Sequence, residues 1–234
     1  MSFWRKHWFD IGGGLALLLS AWLYLHRISW RAERLWLGLS FVTLLLHQVE
    51  EYRWPGYFPG MLNAAVYQST LPERYPLNTQ TAFVINVPLG WGAYALAALY
   101  GPQFPWLGIA TVLVSLGNVG AHTFFFNLKG RTWYNPGLAT ALLLFLPLAL
   151  GYGHLLISHR LASPRDWIIG VPLGIALNYF CIIKPIHWLA DPTTTFRFAT
   201  RQLRPADRGQ PFKAPREEAR SAKCDKGPPS PFSA

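Results

Sequence analysis

Charged side chains are scarce in this chain. Asp, Glu, Lys and Arg make up 14% of its 234 residues, against about a quarter in an ordinary soluble domain. The body is poorer still, because nine of the 21 Lys and Arg lie between Arg197 and Lys226. That shortage argues against a soluble fold for residues 1–190. Cysteine is equally sparse: Cys181 sits in an apolar run and Cys224 in the polar tail, so no disulfide framework is readable. A small-x-small cleavage site is missing after "IGGGLALLLSAWLYL", so the first apolar run reads as a retained span and not as a secretory signal. The basic tail has no interleaved aromatic platform, which weighs against nucleic-acid binding. No convincing inverted repeat points to a transporter.

What is present is apolar surface. Hydrophobic residues reach 51%, and there are eleven tryptophans. A membrane helix needs about 20 mostly apolar residues. Six runs approach this, at about 11–25, 35–51, 79–100, 104–128, 136–157 and 167–186. Trp8, Trp30, Trp36, Trp106, Trp133, Trp167 and Trp188 flank them as interfacial belts would. The expected fold is therefore all-α: a polytopic membrane bundle of about six transmembrane helices over 1–190. A basic tail follows over 191–234, too rich in Pro and charge to fold by itself. Residues 52–78, "YRWPGYFPGMLNAAVYQSTLPERYPLN", read either as an interfacial loop or as a re-entrant lid. The Lys and Arg distribution puts both termini on the cytoplasmic side, as in a bacterial inner membrane. The expected partners are the bilayer and anionic lipid heads drawn to the tail.

The polar residues inside these runs share a level. At 1.5 Å per residue, His47 and His122 lie about 8–9 Å inside the ends of the second and fourth spans. Asn86 and Thr140 lie about as deep from the starts of the third and fifth. In an up-down bundle those four ends meet near one membrane face, whichever face is cytoplasmic. Glu50 and Glu51 share His47's side of the helix, and Asn118 pairs with His122 in the same way. Asn135 is placed to cap the fifth helix, with Pro136 in its first turn. His187 and Asn178 read as packing residues. His7, His26, His154 and His159 have no assigned role.

Ionisable groups inside a bilayer are costly and face a cavity or a partner. Histidine with carboxylate is a ligand set for zinc, iron or manganese. His47, His122, Glu50 and Glu51 are the candidate ligands. Glu50 and Glu51 are also candidate acid–base groups, and Tyr134 is placed to orient a substrate. Asn86, Asn118, Asn135 and Thr140 are supporting hydrogen bonders. Two other chemistries use the same residues: a metal-free acid–base isomerase or cyclase on an isoprenoid-like lipid, and a non-enzymatic ion-binding or transport protein.

"HQVEE", His47 to Glu51, together with "NVGAHTFFFNLKGRTWYNPGLATALLLFLP", resembles the HXXEE-motif family of uncharacterised, mostly bacterial membrane proteins. The resemblance covers about 35–150. It rests on His122, Tyr134, Pro136, Gly137 and Thr140 in the second block, with Asn135 where Ser or Thr is frequent. It implies that His47, Glu50, Glu51 and His122 belong to one site, and it leaves the reaction open. A metal-dependent hydrolase of a lipid or membrane peptide is the working expectation.

Overall fold

The computed structural model describes residues 2–29 and 31–209; Trp30 and the tail from residue 210, with Cys224, lie outside the described residues. Among the described residues there are helices and no strands. Six long helices form the bundle: α1 (Ser2–His26), α2 (Ala32–Tyr52), α4 (Thr79–Tyr100), α5 (Pro105–Gly130), α6 (Leu138–Ser158) and α7 (Pro164–Trp188). Five of them are long and apolar enough to cross a membrane. The exception is α2, whose 21 residues include Glu33, Arg34, Glu50 and Glu51.

The position of α2 explains how such a helix is tolerated. It packs against α1, α4, α5 and α6, and its buried residues include His47, Gln48, Glu50 and Glu51. The other helices act as its solvent, so its polar groups meet partners and not lipid. Asp10 near the start of α1 pairs with Arg53 just beyond α2, 2.9 Å from its Nε. The short connection at 27–31 makes α1 and α2 antiparallel, and this contact joins the first half of one to the end of the other.

The apolar helices run close to the boundaries expected from hydropathy, because lipid-facing stretches end where polar residues begin. The start of α6 differs. Asn135 does not cap it; Gly137 occupies the capping position with φ of 107°, and the Asn135 side chain is turned toward His122. Among the described residues, five helical stretches carry π-type turns, at Leu62–Val66, Ile85–Trp91, Ala121–Phe125, Ala141–Phe145 and Asn178–Ile183. Such turns recur at functional sites, and one of these holds His122.

The connection after α2 is a folded element. Residues 58–66 (α3) form a short helix whose Phe58, Met61, Leu62 and Asn63 are buried. Asn63 fastens it: its Nδ2 donates to the carbonyls of Pro72 and Leu77, and its Oδ1 accepts from Leu77 N–H. Beyond α7, residues 191–209 pack as a strap instead of leaving the bundle. Phe198 and Leu203 are buried, Phe198 N–H donates to Glu73 O at 2.7 Å, and Gln202 Nε2 donates to Tyr52 O at 3.1 Å. Its apolar anchors are local and are diluted when the tail's composition is averaged to residue 234.

Glycine decides how closely α7 approaches. A Cβ on Gly170 would stand 2.9 Å from Trp106 O, and one on Gly174 2.9 Å from Ala110 O, both on the backbone of α5. Their spacing is the small-xxx-small pattern that brings membrane helices into contact. Little else of α7 is buried: Gly170 and Gly174 are its buried residues over Pro164–Leu177. Gly174→Val is therefore expected to push α7 off α5 at about 1–3 kcal/mol, the usual cost of overpacking. A lowered unfolding midpoint in detergent, with no comparable loss for Gly153→Ala, where a Cβ meets open space, checks this.

Candidate metal centre

At the end of α2 the two glutamates part company. Glu50 reaches the start of α6. Its carboxylate accepts from Tyr134 OH (2.8 Å), Ala139 N–H (3.2 Å), Thr140 N–H (2.8 Å) and the Thr140 hydroxyl. A helix start has unpaired N–H groups and a partial positive charge, and Glu50 supplies from a neighbouring helix the cap that the local sequence lacks. Burial, and then the Glu50 carboxylate accepting its proton, hold the Tyr134 hydroxyl well above the usual tyrosine range. Tyr134 therefore stays a donor.

Glu51, one residue on, faces His122. Its Oε1 lies 3.3 Å from His122 Nε2 and 3.6 Å from His47 Nε2. The three ligand atoms lie within 4.8 Å of one another, and all three residues are buried. Glu50 is not in that group.

The tautomer of each imidazole follows from the donors around it. Asn127 Nδ2 donates to the carbonyls of Thr123 and Trp133, so its Oδ1 is an acceptor. Asn135 Nδ2 donates to that oxygen and to His122 O, both at 2.8 Å. Asn135 Oδ1 is then an acceptor as well, and His122 Nδ1 must donate to it. On the other side, the Thr140 hydroxyl has one proton, spent on Glu50 or on Gly137 O. His47 Nδ1, 2.8 Å away, must therefore donate to Thr140 Oγ1. Both rings present a lone pair at Nε2, and both Nε2 atoms are buried without a hydrogen-bond partner.

Two lone pairs aimed at one carboxylate oxygen repel unless something positive lies between them. One proton satisfies one imidazole and leaves the other orphaned. Two protons would make two imidazoliums with ring centroids 4.9 Å apart in a site where neither histidine is more than 2% exposed, a costly arrangement. A divalent ion satisfies all three atoms at once. Tetrahedral ligands about 2.0–2.2 Å from an ion stand about 3.4 Å apart, close to the two spacings found here. The Nδ1–H bonds to Thr140 and Asn135 are the outer contacts that orient ligating histidines.

Gly137 and the aromatics shape the space. A Cβ on Gly137 would collide with the His122 ring, and its φ disfavours any other residue. Phe58 and Phe126 flank His122, with centroids 5.2 and 4.9 Å away, and Phe145 lies 4.6 Å from His47. Beside the centre runs a mostly apolar cavity of about 100 Å³. His47, Glu51, Asn86 and Asn118 line it, with Leu89 of α4 and Ile182 of α7. Asn86 and Asn118 donate to carbonyls of their own helices. Asn86 also accepts from Gln48 Nε2 at 3.0 Å, and Gln48 accepts from Trp91 Nε1 at 2.7 Å.

Gln48 is the residue sequence reasoning missed. It sits inside "HQVEE", and its buried amide, 1% exposed, bridges α2 to α4. A polar residue next to His47 in an apolar helix was the available signal. His187 makes an edge contact with Tyr67, just beyond α3, at 5.6 Å, and Asn178 donates to Gly174 O of its own helix and to Leu113 O of α5; both are packing contacts.

Two substitutions probe this framework. Glu50→Ala strips Ala139, Thr140 and Tyr134 of their acceptor and is expected to cost about 1–3 kcal/mol, the range for buried groups left unpaired. Gly137→Ala is expected to destabilise as well, through backbone strain and the collision with His122. Thermal unfolding in detergent reads both, and a midpoint matching wild type in either case contradicts the geometry.

A family described as a protein of unknown function with HXXEE motif matches residues 15–152, more than half of the chain. No curated protein and no solved structure matches. The matched region extends beyond the expected 35–150 into α1, whose residues pack along α2, and it contains His47, Glu50, Glu51, His122 and Gly137. With that motif forming one wall of a buried His–Glu–His group, the chain belongs to the HXXEE family.

Proposed function

We propose that this protein is a membrane-embedded metal-dependent enzyme, a hydrolase of a lipid or membrane peptide, with His47, Glu51 and His122 holding zinc, iron or manganese. The observation that carries this reading is the pair of orphaned Nε2 lone pairs converging on Glu51 Oε1. Two nitrogens and one oxygen suit those metals, and three protein ligands leave the open position typical of a catalytic ion. A bound divalent ion would polarise a carbonyl or phosphoryl oxygen and lower the pKa of a water toward about 7.

The chain's own groups have separate parts. Thr140 and Asn135 fix the imidazoles in their ligating tautomers. Glu51 brings the carboxylate, and with its face on the cavity it is also the group placed to take a proton from water or substrate. Glu50, saturated by its donors, and Tyr134, whose proton it holds, act as positioning residues. The mostly apolar lining of the cavity suits a hydrocarbon chain. The site lies toward the face that carries the start of α1 and the end of α7, which we read as the cytoplasmic side of a bacterial inner membrane.

Metal analysis of the purified protein after growth in replete medium tests the reading. Wild type is expected to retain about one divalent ion per chain, and His47→Ala, His122→Ala and Glu51→Gln to lose it at least tenfold. Glu50→Gln is expected to lower stability and to weaken ion binding less than Glu51→Gln, since Glu50 acts only through Thr140. Metal-free wild type, or loss in Glu50→Gln equal to that in Glu51→Gln, defeats the assignment.

A further inference from the structure

A second cavity, about 250 Å³, lies at the membrane-face end of the bundle between the first turns of α1 and the strap after α7. Arg5 and Lys6 of α1 and Arg197 and Arg201 of the strap line it, and among the described residues no carboxylate does. The nearest acid at this end of α1, Asp10, is engaged by Arg53 at 2.9 Å and His7 at 3.1 Å. Two of the guanidiniums are held in place. Arg5 donates to Gln80 Oε1 at 3.2 Å and lies 4.4 Å from the Phe196 ring centre. Arg201 donates to the carbonyls of Tyr52 and Arg53 and lies over Phe9. Burial, and then the neighbouring Arg53 charge, pull the Arg201 guanidinium below its usual pKa, while Asp10 acts in the opposite direction.

The wall of this cavity is Tyr52, and Tyr52 also lines the apolar cavity beside the metal centre. The residue before it is Glu51. A basic chamber at the membrane face and an apolar chamber deeper in the bundle thus share one wall residue, and His47 and Glu51 line the apolar one. An amphiphile with a compact anion joined to a hydrocarbon chain has this shape. Fixed guanidiniums pair with phosphate oxygens through charge-assisted hydrogen bonds.

We propose that the cavity between α1 and the strap binds the phosphate group of an anionic lipid whose hydrocarbon chain enters the apolar cavity across Tyr52. A phosphate-bearing lipid is then also the substrate class of the neighbouring centre, an extension that rests on the metal-enzyme reading.

The test is binding in detergent to dioctanoyl phosphatidic acid, to dioctanoylglycerol as its neutral counterpart, and to inorganic phosphate. Thermal shift and native mass spectrometry serve as readouts. Wild type is expected to bind the phosphatidic acid at least tenfold more tightly than either of the other two, with affinity falling as salt rises. Lys6→Gln/Arg197→Gln is expected to lose most of that preference. Lys6→Glu, at an exposed position, gives the same reading if the double variant does not fold. Equal binding of neutral and anionic lipid overturns the proposal, as does undiminished preference in the variants. Inorganic phosphate binding as tightly as the lipid overturns the lipid assignment. Glu51→Gln separates the two readings: its metal is expected to go while its preference for phosphatidic acid stays. Loss of that preference together with the metal overturns the separate headgroup site.

Discussion

The carboxylate of Glu50 on the open end of α6 is the contact on which the rest of the site depends. A helix beginning inside a bundle has N–H groups that neither lipid nor water can satisfy. Here α2 satisfies them. The same contact brings Thr140 beside His47, so the hydroxyl that donates to Glu50 becomes the acceptor that orients the imidazole. The link from Arg131 to Gly137 then folds beneath His122, where Asn135 sets the second ring. Cap, loop and both histidines form one connected network.

That network accounts for a polar helix at the centre of an apolar protein. Each group on α2 that would be intolerable against lipid has a designated neighbour: Gln48 has Asn86 and Trp91, Glu50 has the start of α6, and Tyr52 has Asn86, Arg201 and Gln202. Glu51 with the two Nε2 atoms is an exception, as is the buried hydroxyl of Ser40. Buried ionisable groups converging in this way mark a candidate functional site. The two cavities that share Tyr52 as a wall residue place apolar and anionic recognition side by side.

Much of the fold was legible because lipid imposes a simple rule: apolar runs of sufficient length become helices, and their ends show where polar residues begin. The Thr79–Tyr100 helix matches its expected bounds for that reason. The shared depth of His47, Asn86, His122 and Thr140 was legible too, since rise per residue and up-down order suffice to compute it. The strap at 191–209 was not, because Phe198 and Leu203 are few among many charged residues and matter through where they dock. The capping of α6 was misread because Asn135 has the right chemistry for a cap but a stronger competing partner in His122.

By itself the sequence determined a helical membrane bundle, the motif His47–Glu51 on its second long helix, and the level at which that motif meets the helix bearing His122. Helical periodicity and hydropathy are local properties of the chain, so those conclusions need no knowledge of its neighbours. Only the tertiary structure decided that Glu50 and Glu51, adjacent and alike, take different work. Which carboxylate meets an N–H array and which meets two lone pairs depends on the rotation and packing of three helices. The direction of a lone pair is fixed by hydrogen bonds between residues up to 93 positions apart.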